Sequence, residues 1–191
     1  MKNIFNVLLV SVSLFLLSCG GTQSANNQAN IQRNNSTNVS QSATKSSYDY
    51  AQEGSAFFLK DNYQKAIEPY QKAVDLEKEQ PKLDKNLWRA VTDNLAMSYG
   101  ITGNLPKAKE TLEYGMSKDP DYPMFFYIMA NVYGEANDED NAIVYLKRAY
   151  ERKGNMIAGE TLPDPMTDDS FKRFVKSEKF IKAVNELKQK K

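Results

Sequence analysis

Histidine is missing from all 191 residues, and cysteine and tryptophan occur once each, as Cys19 and Trp88. A nucleophile activated by a histidine base, in either its serine or its cysteine form, is therefore excluded. A zinc site would find no imidazole and a single thiolate, so no metal is expected. Neither sign of charge dominates: 25 Lys and Arg face 24 Asp and Glu, interspersed along the chain. Without a basic face to gather phosphates, nucleic acid is not an expected partner. No nucleotide-binding glycine loop is present and no carboxylate pair stands out. The expectation is a protein that is not an enzyme, with no catalytic residues and no cofactor.

What the chain does have begins with an apolar N-terminus. Lys2 precedes an uncharged run from Ile4 to Leu17, interrupted only by Asn6, Ser11 and Ser13. A membrane-spanning helix takes about 20 apolar residues, and this shorter run fits the apolar region of a signal peptide over residues 1–18. It ends in Leu16-Leu17-Ser18-Cys19-Gly20, which resembles the lipobox of bacterial lipoproteins. That resemblance implies cleavage before Cys19, lipidation of Cys19 and attachment to a membrane through it. A cysteine carrying two or three acyl chains is held stably, where one chain is marginal. Gly20 replaces the aspartate that marks inner-membrane retention in that family, which implies the outer membrane, on its periplasmic face. Residues 19–46 are rich in Asn, Gln, Ser and Thr, with Ile31 and Val39 as their large apolar side chains. So little burial does not offset the entropy of ordering, and a disordered tether is expected, reaching about 90 Å at full stretch.

Beyond the tether the chain repeats itself. Tyr99, Ala108 and Leu112 recur as Tyr133, Ala142 and Leu146, and the constant shift of about 34 residues is that of stacked helical hairpins. Gly54, Phe57, Ala66, Tyr70 and Ala73 supply an upstream copy. Small residues recur where two helices approach closely, and large ones where space between hairpins must be filled. The turns align too, as Asp61-Asn62, Gly103-Asn104 and Asn137-Asp138, residue types that tolerate turn geometry and cap the next helix. This pattern resembles the tetratricopeptide repeat (TPR): small, aromatic, Ala, aromatic or Leu, then Ala, with Pro120 closing the second copy. The family's early Trp is replaced by Tyr50, Thr92 and Phe126. The first two copies also stand about eight residues too far apart, read as a longer loop plus an added helical turn.

The resemblance implies an all-α TPR helical-hairpin solenoid of three repeats, 47–80, 89–122 and 123–156, followed by C-terminal capping helices over 157–191. Helices are expected near 47–60, 63–78, 84–101, 105–118, 123–136 and 139–153. A short helix is expected around Phe171, Phe174 and Val175, and a last one presents Phe180, Ile181, Val184 and Leu187. A solenoid's last hairpin exposes an apolar face unless something covers it, and this tail is the natural cover. The tail from Leu162-Pro163-Asp164-Pro165 to Phe180 also resembles the closing segment of many bacterial TPR proteins.

In that family the first helix of each repeat lines a concave binding face. Carried over by position, the candidate partner-binding residues are Tyr48 and Ser55, then Asp93 and Met97, then Met124, Tyr127 and Asn131. The paired Lys and Asn residues with which chaperone-binding members grip a C-terminal carboxylate are missing. An aromatic, methionine-containing surface suits a hydrophobic or mildly basic peptide. The function these readings imply is a membrane-anchored scaffold or adaptor lipoprotein of the bacterial envelope, serving outer-membrane assembly. The alternative is a binding protein for a small hydrophobic molecule or lipid, in a pocket closed by the C-terminal helices. Oligomeric state is left open.

Overall fold

The computed structural model describes residues 45–189. The signal peptide, Cys19 and the tether up to residue 44 lie outside the described residues. The last two tether positions belong to the domain, because Ser46 caps the first helix. Its hydroxyl accepts from the Asp49 N–H while the Asp49 carboxylate accepts from the Ser46 N–H at 2.8 Å, a reciprocal capping box.

The described residues form seven α-helices: α1 (Ser47–Phe58), α2 (Tyr63–Glu79), α3 (Lys85–Ile101), α4 (Leu105–Lys118), α5 (Pro123–Glu135), α6 (Glu139–Glu151) and α7 (Glu178–Gln189). The first six pair as hairpins, and one turn geometry closes all three. At each turn one residue sits in the left-handed region: Asp61 (φ 54°), Gly103 (φ 86°) and Asn137 (φ 60°). Its N–H returns to Phe58, Gly100 or Gly134, and the next N–H returns to Phe57, Tyr99 or Tyr133. These are the two bonds of a Schellman ending. That next residue, Asn62, Asn104 or Asp138, then caps the following helix with its own side chain. One residue thus ends one helix and starts the next, and the connection has no slack.

The wide spacing between the first two repeats goes almost wholly into helix and not into the longer loop expected: α2 and α3 have 17 residues each against 14 in α4 and 13 in α5, while residues 119–122 between α4 and α5 are only one fewer than residues 80–84 between α2 and α3. Buried Glu77 organises that loop, its carboxylate accepting the N–H groups of Lys82 and Leu83 at 2.9–3.1 Å. Between α4 and α5, Asp119 does similar work from the other side. It is buried and receives Arg89 of α3 at 2.7 Å, with Lys85 at 3.2 Å, while the Arg89 guanidinium lies 4.5 Å over the Tyr122 ring.

One apolar core runs through α1 to α5 around Tyr70, Leu95, Leu112, Phe125 and Met129, all essentially inaccessible to solvent. A second lies between α5, α6 and the C-terminal segment around Phe126, Tyr127, Leu146, Phe171 and Phe180. Helix α7 lays Phe180, Ala183, Val184 and Leu187 against α6. The short helix expected around Phe171 to Val175 is instead a 3-10 turn, Asp169–Phe171, followed by further turns. Phe171, Lys172, Phe174 and Ser177 each donate to the residue three back, and the Asp168 side chain caps Ser170 N–H. An i, i+3 pair of phenylalanines satisfies a 3-10 turn as well as an α-helix. Among the described residues, no helix is long and apolar enough to cross a membrane.

Candidate functional site

Helices α1, α3 and α5 lie side by side and form the inner face of the stack. At its amino end the face is open. Tyr48 is 51% exposed and Ser55 is half-buried. Ser55 belongs to a hydrogen-bonded chain across two hairpins: the Asn94 amide donates to the Tyr70 hydroxyl (3.3 Å), Tyr70 to Ser55 (3.1 Å), and Ser55 to the Ala51 carbonyl (2.8 Å). Burial pushes the Tyr70 phenol up to about 12, so the chain stays neutral.

Over α3 and α5 the face is occupied from within. After α6 the chain turns back through Gly159, at φ 90°, and crosses the inner face in an irregular conformation before reaching α7. Two carboxylates fasten it. Glu160 meets the Tyr122 hydroxyl at 3.0 Å, and the same hydroxyl reaches Asp93 of α3 at 3.1 Å. Asp168 receives the Tyr127 hydroxyl at 3.0 Å and the Asn131 amide at 2.8 Å, and Asn131 also reaches Ser170 at 2.9 Å. Gly134 is the crossing point: a Cβ there would stand 2.5 Å from the Ser170 carbonyl oxygen.

Of the residues expected to face a partner, Tyr48 and Ser55 lie on the open part. Met124 is half-buried, while Asp93, Met97, Tyr127 and Asn131 are buried, the last two committed to Asp168. Burial, and then the charge of Glu160, hold the Asp93 carboxyl well above its usual range, and burial raises Glu160 as well. Burial followed by Asp168 raises the Tyr127 phenol strongly. The polar atoms of this region are therefore paired with one another.

Residues 125–156 match the family model of the tetratricopeptide repeat. They cover α5 and α6, and the same turn geometry recurs in the two hairpins upstream. Among solved structures, the chain is similar to the C-terminal TPR-containing domain of an FK506-binding protein from Plasmodium falciparum. The identity is 22%, over 75% of this chain and 89% of that one, with a TM-score of 0.50. At that identity the likeness is one of fold. No curated protein matches the sequence. The described residues thus fold as an all-helical tetratricopeptide solenoid, the architecture that the resemblance of the repeat pattern implies.

Within this tetratricopeptide frame, sequence reasoning overlooked Tyr122, Glu160, Asp168 and Ser170. Tyr122 precedes the first position of α5, and the other three sit in a stretch with no helical period. The signal that was available is the Gly134 small position, which marks a close approach from outside the repeat. Cavities of about 410 Å³ and 180 Å³ lie elsewhere, the first between α1 and α2 beside Tyr50 and Pro69, the second among α2, α3 and α4 beside Val74 and Tyr114. Among the described residues, no cluster of His, Cys, Asp and Glu is arranged to hold a metal ion.

Proposed function

We propose that this protein is a membrane-anchored scaffold of the bacterial envelope, tied to the outer membrane through lipidated Cys19, that binds an extended segment of another protein along its inner face. The observation that carries the reading is the occupancy of that face by the chain's own segment. Irregular backbone lies across α3 and α5, fastened by side-chain hydrogen bonds at Tyr122, Tyr127 and Asn131. A surface that holds one extended segment in this manner is shaped to hold another where it is still open. The open stretch is the one bearing exposed Tyr48 and half-buried Ser55 and Asn94.

A photo-crosslinker at Tyr48 tests the surface, with a second at Val144, 42% exposed on α6, as the control. The expected outcome is a discrete protein adduct from position 48 that is missing from position 144. Adducts from 144 alone would move the working surface to the outer helices. For the anchor, Cys19→Ser is expected to shift the protein from the membrane to the soluble fraction after lysis, and retention of the variant in membranes would remove the lipid from the proposal.

A further inference from the structure

We propose that Asp93, Tyr122 and Glu160 form a proton-dependent latch that fastens the front half of the segment after α6 to the inner face. The latch does not depend on what binds that face. A phenol carries one hydrogen. The Tyr122 oxygen stands 3.1 Å from an Asp93 oxygen and 3.0 Å from a Glu160 oxygen. The hydroxyl donates to one carboxylate only, and the other contact is a hydrogen bond only when that carboxyl keeps its own proton and donates to the phenol oxygen. Both distances are hydrogen-bonding distances, so the closed arrangement holds two hydrogens among three groups.

The positive charge that reaches the latch is Arg89 of α3, which lies flat on the Tyr122 ring and favours the charged form of Glu160, but burial outweighs it. Arg89 binds Asp119 through Nε and a terminal nitrogen at 2.7 Å, and Lys85 meets the same carboxylate at 3.2 Å. From α2, the group near Asp93 is the neutral Tyr70 phenol, and its α3 neighbour is the amide Asn94. Removing the latch proton leaves two carboxylates facing each other across one phenol, with one bond lost and like charges out of water. Both acids are shifted upward, mainly by burial. The sign follows: closure is at full strength below the ordinary carboxylate range and is lost as pH rises through the raised value. The segment can leave without unfolding the rest. Its front half holds on by Glu160 and by partly buried Ile157 and Leu162, with Gly159 as a flexible point within it, and the rear half stays anchored by Pro165, Ser170 and Phe171.

The test is a titration of the whole chain by NMR, following the side-chain carboxyl carbons of Asp93 and Glu160 and the methyl groups of Ile157. Between about pH 4 and about pH 9, the two acids are expected to titrate in separate steps, with the upper step above the usual carboxylate range. The Ile157 signals are expected to move with that upper step, as the opening constant rises by up to about tenfold per pH unit. Glu160→Gln keeps both hydrogen bonds, since the amide donates to the phenol oxygen, and it has no proton to lose. Its Ile157 signals are expected at the low-pH wild-type position throughout. Ordinary titration of both acids, or Ile157 signals that ignore the upper step, would overturn the latch. So would a Glu160→Gln protein whose Ile157 signals still follow pH or sit at the open position at every pH.

Discussion

Arg89 and Asp119 meet away from water, one from the first turns of α3 and the other at the end of α4. Burial alone would raise the Asp119 carboxyl, but the hydrogen bonds from Arg89 and Lys85 outweigh it and hold it below its usual range. Removing one member of such a pair strands the other. Arg89→Met is expected to cost about 3 kcal/mol in urea unfolding at neutral pH, because exposed Lys85 compensates only in part. The sign of the pH dependence is fixed by the lowered value: the stability is present above the unfolded carboxylate range and is lost as pH falls through the folded value. Wild type and Arg89→Met should therefore converge in stability toward about pH 2, and a gap that persists there would mean the arginine acts through packing. At Gly134 the obstacle is a backbone oxygen, which cannot swing aside as a side-chain tip can. Gly134→Ala is expected to lower stability by about 1–3 kcal/mol by the same measurement.

At the scale of the element, the three hairpin turns make an internal comparison, since one geometry is occupied by Asp61, Gly103 and Asn137. A left-handed residue with a Cβ is strained by roughly 1–2 kcal/mol, less for Asn and Asp. Gly103→Ala should then lower the thermal midpoint while Asn137→Gly leaves it level or raises it, and equal effects from both would show that the turns do not share one backbone state. These turns are legible in the sequence, as are six of the helices, because hairpin repeats impose a fixed offset on small, aromatic and turn residues. Tyr99 and Tyr133, Ala108 and Ala142 reveal their equivalence by spacing alone. The segment from Met156 to Ser177 has no such offset. Its partners stand 37 to 41 residues away, as Asp168 does from Asn131 and Tyr127, and side-chain bonds over that separation leave no period in the sequence. The expected helix near Phe171 failed for a related reason, since phenylalanines three apart suit two kinds of turn. For the candidate site, position within the repeat singled out Tyr48, which is exposed, and Ser55, which is half-buried, but gave no sign that Tyr127 and Asn131 would be spent on Asp168.

For the molecule as a whole, the C-terminal segment is part of the core and not an appendage. It supplies Phe171, Phe174, Phe180, Val184 and Leu187 to the second core, and without them Phe126, Tyr127 and Ile143 would face water. A chain ending at Asn155 is expected to unfold at lower urea and with a smaller m-value than the full chain, or to aggregate. An unchanged, sharp transition would mean that the hairpins are sufficient alone. Helix α7 carries a second implication, for assembly. Head-to-tail stacking of such hairpins into filaments requires each copy to offer the bare flank of its last hairpin to the first hairpin of the next. Here that flank is already taken by Phe180, Val184 and Leu187, whereas Leu59 at the end of α1 is 57% exposed. A further hairpin has no bare flank to stack on after α6, so the C-terminal helix sets the length of the repeat array.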